Sequence, residues 1–210
     1  MAWEKQEKKT LPFLKKVWHF IWHDDSIWSW LVNLVLAFVL IKFIVFPVLG
    51  LIFSTGYPIV AVVSSSMEHQ GNFEQFWGKA GAWYEDKNIA KEQFKDFYWK
   101  NGFNRGDVLF LRGKAAEDIQ VGEVIVFQSS KPQPIIHRVV KKWQENGKYY
   151  FQTKGDNNPD SLNLKNGNID ETKISQEYVI GKAWLRLPYL GWVKIGFAWV
   201  LFKLTGFQMS

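Results

Sequence analysis

The chain has 210 residues, 47% of them hydrophobic and 17% aromatic, with 26 basic against 20 acidic side chains and no cysteine. That length accommodates one compact domain with appendages, and the missing cysteines exclude a disulfide framework, a thiolate zinc site and a cysteine nucleophile. The net charge of +6 suits anionic lipid as well as nucleic acid, but no basic run interleaved with stacking aromatics occurs in the middle of the chain, so a nucleic-acid partner is disfavoured.

The first segment, residues 1–25, carries Lys5, Lys8, Lys9, Lys15 and Lys16, and from Pro12 onward Phe13, Val17, Phe20 and Ile21 fall near helical spacing. Pro12 fits the first turn of a helix, and the pattern predicts a basic amphipathic helix on the inner membrane face. Asp24, Asp25 and Ser26 offer N-caps for a second helix over 26–53, almost wholly apolar from Trp28 to Phe53. At 1.5 Å per residue, twenty-odd residues exceed a hydrocarbon core of about 30 Å. Lys42 costs roughly 2.5–3.5 kcal/mol at the centre of a span, against roughly 5–11 kcal/mol gained from the surrounding Leu, Ile, Val and Phe. The span therefore survives its lysine, which is expected to snorkel or face a protein neighbour. The apolar run is too long for a cleaved secretory signal, and no small-x-small site follows it closely. Lysines precede the span and none occurs from Ser54 to Gly78, so the N-terminus is expected in the cytosol and residues 54–187 outside. Trp3, Trp18, Trp22, Trp28 and Trp30, with Trp184, Trp192 and Trp199 at the other end, suit the headgroup level of a membrane.

Ile59 to Val63 is an apolar run that reads as a buried strand, and it ends abruptly in Ser64, Ser65, Ser66 and Met67. About a dozen residues separate Phe53 from Ser66, at most roughly 45 Å of extended chain, so these serines are expected close to the bilayer. Residues 71–102 change period: Phe73, Phe76, Trp77, Ala80, Trp83 and Tyr84 recur at helical spacing behind Asn72, and Phe94, Phe97 and Tyr98 make a second stripe. This predicts a two-helix insertion whose aromatic stripes are core. Strands are expected at Asp107–Arg112, Glu123–Phe127, Pro134–Val140, Lys148–Thr153 and Tyr178–Leu187, with turns at Arg105-Gly106, Val121-Gly122 and Asn146-Gly147 and a polar stretch over 155–168. Short strands broken by turns, with no alternating long helices, predict a mainly β, barrel-like domain. Residues 188–210 are aromatic and apolar but contain Lys194 and Lys203, which favours a membrane-associated helix lying in the interface over a second span.

Reactive groups occur at three places in this outer domain: Ser64 to Ser66, His137, and Asp156 with Asp160 in the run TKGDNNPD. A serine hydroxyl becomes a competent nucleophile when a base takes its proton, and a neutral histidine suits that task near pH 7. A carboxylate then orients the imidazole and stabilises its charged form. Taken singly, the serines fit a polar strand end or a turn better than a nucleophile, His137 fits a structurally satisfied residue better than a base, and GDNN is an ordinary turn. No recognised metal-ligand spacing joins His137, Asp156 and Asp160.

Four ordered motifs carry a resemblance. Ser64-x-Ser66-Met67, Arg105-Gly106-Asp107-Val108, Ile136-His137-Arg138-Val139 and Thr153-Lys154-Gly155-Asp156-Asn157-Asn158, behind one N-terminal anchor, resemble type I signal peptidases. The match is to the archaeal and endoplasmic-reticulum branch, in which histidine stands where bacterial relatives have lysine. The resemblance implies a signal-peptidase-like β-barrel or sandwich and a membrane-bound serine endopeptidase that removes signal peptides from exported preproteins without a cofactor. Membrane lipid and the protein-translocation channel are the further partners it implies. The location it implies is the cell membrane or the endoplasmic-reticulum membrane.

By position, Ser66 becomes the nucleophile, His137 the general base, and Ser64 a donor to the oxyanion hole beside the backbone N–H of Ser66. The second aspartate of this branch usually stands about six residues beyond the one in GDNN, and here that residue is Leu162. The carboxylate expected beside His137 is therefore Asp160 or Asp156. The rival reading is a non-catalytic membrane-tethered β-domain that binds extended segments.

Overall fold

The computed structural model describes residues 12–130, 132–163 and 170–193, together with 196, 199 and 203. The chain divides into two compact units, Met1–Leu49 and Gly50–Ser210.

In the first unit, α1 (Phe13–His23) segregates its side chains cleanly. Phe13, Leu14, Val17, Trp18, Ile21 and Trp22 share one broad arc, and Lys15, Lys16, His19 and His23 share the other. Its last carbonyls are satisfied from α2 (Ile27–Leu40), where Ser29 Oγ donates to Phe20 O at 2.6 Å and Asn33 Nδ2 to Ile21 O at 2.9 Å. Ser26 is the N-cap of α2, accepting from the Ser29 N–H. The helix continues through a π turn (Ile41–Val45) into α3 (Phe46–Phe53). Pro47 accounts for the π turn, since it lacks an N–H and its ring crowds the carbonyl one turn back. The Phe46 N–H accordingly reaches Ile41 O, five residues away. Lys42 Nζ lies 5.5 Å from the Phe43 ring centroid and 5.7 Å from that of Phe38. Among the described residues, Ile27–Phe53 is the one helix long and apolar enough to cross a membrane.

The second unit is built on a single antiparallel sheet of seven strands: β1 (Ile59–Ala61), β2 (Val108–Arg112), β3 (Val124–Phe127), β4 (Ile135–Glu145), β5 (Lys148–Lys154), β6 (Ile174–Ser175) and β7 (Val179–Leu187). Their order across the sheet is β1-β2-β7-β3-β4-β5-β6. Register shifts in β2, β3 and β4 curl the sheet. Val62, Met67, Leu109, Leu111, Val124 and Val126 fill one side of the resulting core, and Ile125, Phe127, Val139, Phe151 and Ile174 the other. The mainly β class expected from the strand pattern is the class observed. Strand β4 runs five residues past its expected end, because Trp143 stacks on Tyr150 across the hairpin and supports its polar half.

The insertion forms α4 (Phe73–Asp86) and α5 (Lys91–Lys95). A capping box starts α4, with Asn72 Oδ1 accepting from the Gln75 N–H and Gln75 Oε1 from the Asn72 N–H. Phe76, Trp77, Tyr84, Ile89 and Phe94 make a third core with Val140 of β4, so the aromatic stripe is structural, as its period implies. Beyond Val193 the expected C-terminal helix, residues 188–210, falls mostly outside the described residues. Trp192 and Val193 and residues 196, 199 and 203 are helical.

Candidate active site

Asp107, the last residue of the RGD turn, fixes the chain that leads to the serines. Its carbonyl accepts from the Val62 N–H, Val62 O accepts from the Gly106 N–H, and its buried carboxylate accepts from the backbone of Asn104 and Tyr189. Gly106, at φ 89°, supplies the left-handed turn this requires. From there the chain bends at Ser64 and Ser65 into a turn at Ser66 and Met67, and the TKGDNN loop holds it from the other side. The Asn157 N–H donates to Ser66 O at 2.8 Å, and Asn157 Nδ2 donates to Ser65 O. Gly155 is required by space: a Cβ there would lie 2.7 Å from His137 Nε2 and 2.8 Å from Ser66 O.

Ser66 Oγ lies 2.9 Å from His137 Nε2 and 3.1 Å from Ser64 Oγ. His137 is 3% exposed on β4, and its Nδ1 bonds the carboxylate of Glu171. An ionised carboxylate only accepts, so Nδ1 carries the proton and Nε2 is left to accept from the Ser66 hydroxyl. Glu171 is fully buried and held at every polar atom. Its Oε1 also accepts from Thr153 Oγ1 and its Oε2 from the Leu162 N–H at 2.9 Å, while its backbone pairs with Thr153 and Leu162.

The structure therefore brings Ser64, Ser66 and His137 together and corrects the expected carboxylate: neither Asp160 nor Asp156 bonds His137, and Glu171 does. Asp160 is exposed and turns to the insertion, accepting from Trp83 Nε1 at 3.0 Å and from the Ser161 N–H. The physical reason is the side chain at 162. Leucine packs against the core of Ile119, Ile125 and Phe127, which draws the chain inward there and leaves Asp160 on the outside.

Asp156 is buried and already satisfied. It accepts from Arg138 Nε at 2.9 Å and Nη2 at 2.6 Å, from the Tyr84 hydroxyl at 2.8 Å, and bonds His69 Nε2 at 2.8 Å. Burial alone would raise its pKa, but the Arg138 charge and the hydrogen bonds from His69 and Arg138 hold it far below the usual carboxylate range. Burial and the Asp156 charge push the Tyr84 hydroxyl well up, so it stays a donor. His69, stacked on Phe76 with ring centroids 3.6 Å apart, has no partner for its buried Nδ1 among the described residues. Lys154, next to Asp156, is buried between the Trp83 and Tyr84 rings and donates to Gly155 O and Asp156 O. Burial lowers its pKa to about 8.

Sequence reasoning missed Glu171. The only sequence signal is that an acid stands at the start of the segment returning to the sheet, where backbone pairing sets it beside Thr153. Pattern along the chain does not reveal that register.

A cavity of 390 Å³ opens beside Ser66. Ala61, Val62, Val63 and Ser64 line one side and Ile135, Ile136 and His137 the other, with Leu162 also on its wall. This arrangement supplies a hydroxyl hydrogen-bonded to an imidazole, an imidazole oriented by a buried carboxylate, and an apolar slot leading to them. Those are the parts of an acyl-transfer site.

No protein-family model matches the chain. Over 97 residues, 44% of its length, it is 41% identical to the signal peptidase complex catalytic subunit SEC11C of Homo sapiens, covering 49% of that protein. It is 38% identical to catalytic subunit sec11 of Sclerotinia sclerotiorum and 35% identical to SEC11 of Pyricularia oryzae, each over 96 residues and 55% of the fungal protein. The chain thus spans about half the length of the relatives it matches. The branch that the four motifs resemble is also the branch to which the sequence is similar, the endoplasmic-reticulum type I signal peptidases.

Proposed function

We propose that the chain is a membrane-anchored serine endopeptidase that removes signal peptides from exported preproteins. The observation that carries the reading is the unbroken line from Ser66 Oγ through the His137 ring to the Glu171 carboxylate, in a chain similar to signal peptidase catalytic subunits. The cleavage segment lies extended beside edge strand β1 and its continuation to Ser66, adding backbone hydrogen bonds as a strand does. Ser66 Oγ attacks the scissile carbonyl carbon and its proton passes to His137 Nε2. Ser64 Oγ and the Ser66 backbone N–H stabilise the oxyanion. His137 then protonates the leaving amine as the C–N bond breaks, leaving an acyl-enzyme. A water loses its proton to His137 and attacks the ester carbonyl, and Ser66 Oγ leaves with that proton. Glu171 holds the imidazole in the required tautomer and offsets its charge in both halves. Asp156 and Asp160 take no part in proton transfer.

The helix Ile27–Phe53 is the anchor, with residues 1–25 cytosolic and the sheet domain on the other side of the membrane. A signal peptide's apolar segment occupies the same bilayer, so a shared membrane raises effective concentration. Preproteins and lipid are the partners this reading requires. Placement within a multi-subunit complex, as the relatives' names state for them, and at the translocation channel follow from it. The test is cleavage of a model preprotein in lipid by wild type, Ser66→Ala and His137→Ala. Cutting by wild type with loss in both variants is the expected result. A Ser66→Ala protein that cuts at the wild-type rate, or a wild type that binds the preprotein without cutting it, supports the tethered binding domain instead.

A further inference from the structure

A second cavity, of 270 Å³, lies between the TKGDNN loop and α4, lined by Phe76, Ala80 and Trp83 and by polar groups that include Glu68, Lys79, Lys154 and Asn158. It is smaller than the roughly 300–1,000 Å³ of pockets for drug-sized ligands, so its size suits one or two side chains. Asn158 lines this cavity and the one beside Ser66 alike. Behind that shared wall His137 and Asn158 are close: a Cβ built on the buried Gly155 would lie 2.7 Å from His137 Nε2 and 2.8 Å from Asn158 Nδ2. Asn158 is thus the wall shared by the cavity that holds His137 and the cavity under α4, and His137 Nε2 is the atom that protonates the leaving amine.

This fixes a direction. A polypeptide whose residues before the cut follow Ala61 to Ser64 has its new amine at His137, so the residues after the cut pass over Asn158 and meet the second cavity. We infer that this cavity is the mature-side subsite, with the two-helix insertion as its wall, and that it receives one compact side chain of the mature segment against Trp83 and Ala80. The inference rests on the peptidase reading. It gives the insertion a task beyond filling its own core: α4 presents Ala80 and Trp83, both half-buried, to the cavity while Trp77 and Tyr84 face inward.

Two substrates sharing the same residues before the cut separate this idea from the chemistry. One is a peptide that continues for several residues beyond the cut, and the other is an aryl ester that ends there. The variants are Ala80→Trp, which fills the cavity, and Trp83→Ala, which enlarges it. Both rates are measured on one preparation, so their ratio is independent of the fraction folded. Ala80→Trp is expected to lower kcat/KM for the peptide by about tenfold or more while the ester changes less than about twofold, in line with discrimination by pocket size. Trp83→Ala is expected to shift preference toward bulkier residues after the cut. Equal losses on peptide and ester, or no change in the ratio in either variant, overturn the subsite. Failure of the wild type to be acylated by the ester overturns the peptidase reading itself, and the subsite with it.

Discussion

Replacing Glu171 by glutamine keeps the size of the side chain and removes its charge, so it isolates what that charge does for His137. During attack the imidazole becomes an imidazolium, and Glu171 is the buried anion in contact with it. Two unit charges about 4 Å apart at an effective dielectric near 20 attract by about 4 kcal/mol, or about 10³ in rate. The charge develops on histidine only as the reaction proceeds, so the loss should fall on kcat, with KM within about threefold. Asp160→Asn, at a residue bonded to Trp83 and Ser161, should leave both constants within about twofold. The assay is preprotein cleavage in lipid with active sites counted by acylation, and chemical unfolding verifies that the glutamine variant is folded. A folded Glu171→Gln protein with wild-type kcat, or an Asp160→Asn protein that loses more than it does, would refute the assignment of the acid.

Three more expectations concern the groups that hold the site. Asp156→Asn strands the Arg138 guanidinium in the core and should cost about 3–5 kcal/mol, read by urea unfolding. Because the native pKa of Asp156 lies below the unfolded value of about 3.9, this stabilisation is fully present above that pH. It is lost as pH falls toward the native pKa, so the variant should be less sensitive to acid than wild type. Lys154 titrates near 8 in the fold against 10.5 unfolded, so between those values the unfolded chain binds more protons and stability rises with pH, by about 3 kcal/mol. Lys154→Met should abolish that rise, measured as unfolding free energy from pH 7.5 to 10.5. Gly155→Ala should lower kcat by about 10² or more, since displacing reacting groups by an ångström costs that much, and unfolding measurements should show a change too small to account for it.

The strand framework was legible because β2, β3 and β5 each start just after a turn glycine, Gly106, Gly122 and Gly147, and β7 is a nine-residue run rich in apolar side chains. β6 was not, because two residues carry no period. The insertion's period identified its buried face correctly, yet period says nothing about the polar atoms at the rim of that face. Tyr84 reaches Asp156 and Trp83 reaches Asp160, and these contacts draw both aspartates away from His137. Ser66 and His137 were legible from their motifs. The acid was not, because its partner is chosen by how the chain returns beside Thr153, which is a property of backbone pairing across 18 residues.

The division of labour between the two buried carboxylates follows from their partners, and it yields the sharpest check. Asp156 faces a full positive charge bidentately, so its own charge is already neutralised and little remains to stabilise a second cation. Among the described residues Glu171 receives only neutral donors besides histidine, the Thr153 hydroxyl and the Leu162 N–H, so its charge remains available to the imidazolium. The Leu162 N–H bonds Glu171 and its side chain shares the cavity wall with His137. A carboxylate placed there in a Glu171→Gln background therefore lies next to the vacated charge. Leu162→Asp with Glu171→Gln should recover about tenfold or more of the lost kcat. Leu162→Asp alone puts two acids side by side and should destabilise the fold, since like charges cannot both ionise cheaply when buried. Recovery in the double variant would mean that His137 requires an anion at this place and is indifferent to the residue supplying it. If the double variant is as slow as Glu171→Gln while remaining folded and acylable, position 162 does not address His137, and the geometry of Glu171, beyond its charge, is what the histidine needs.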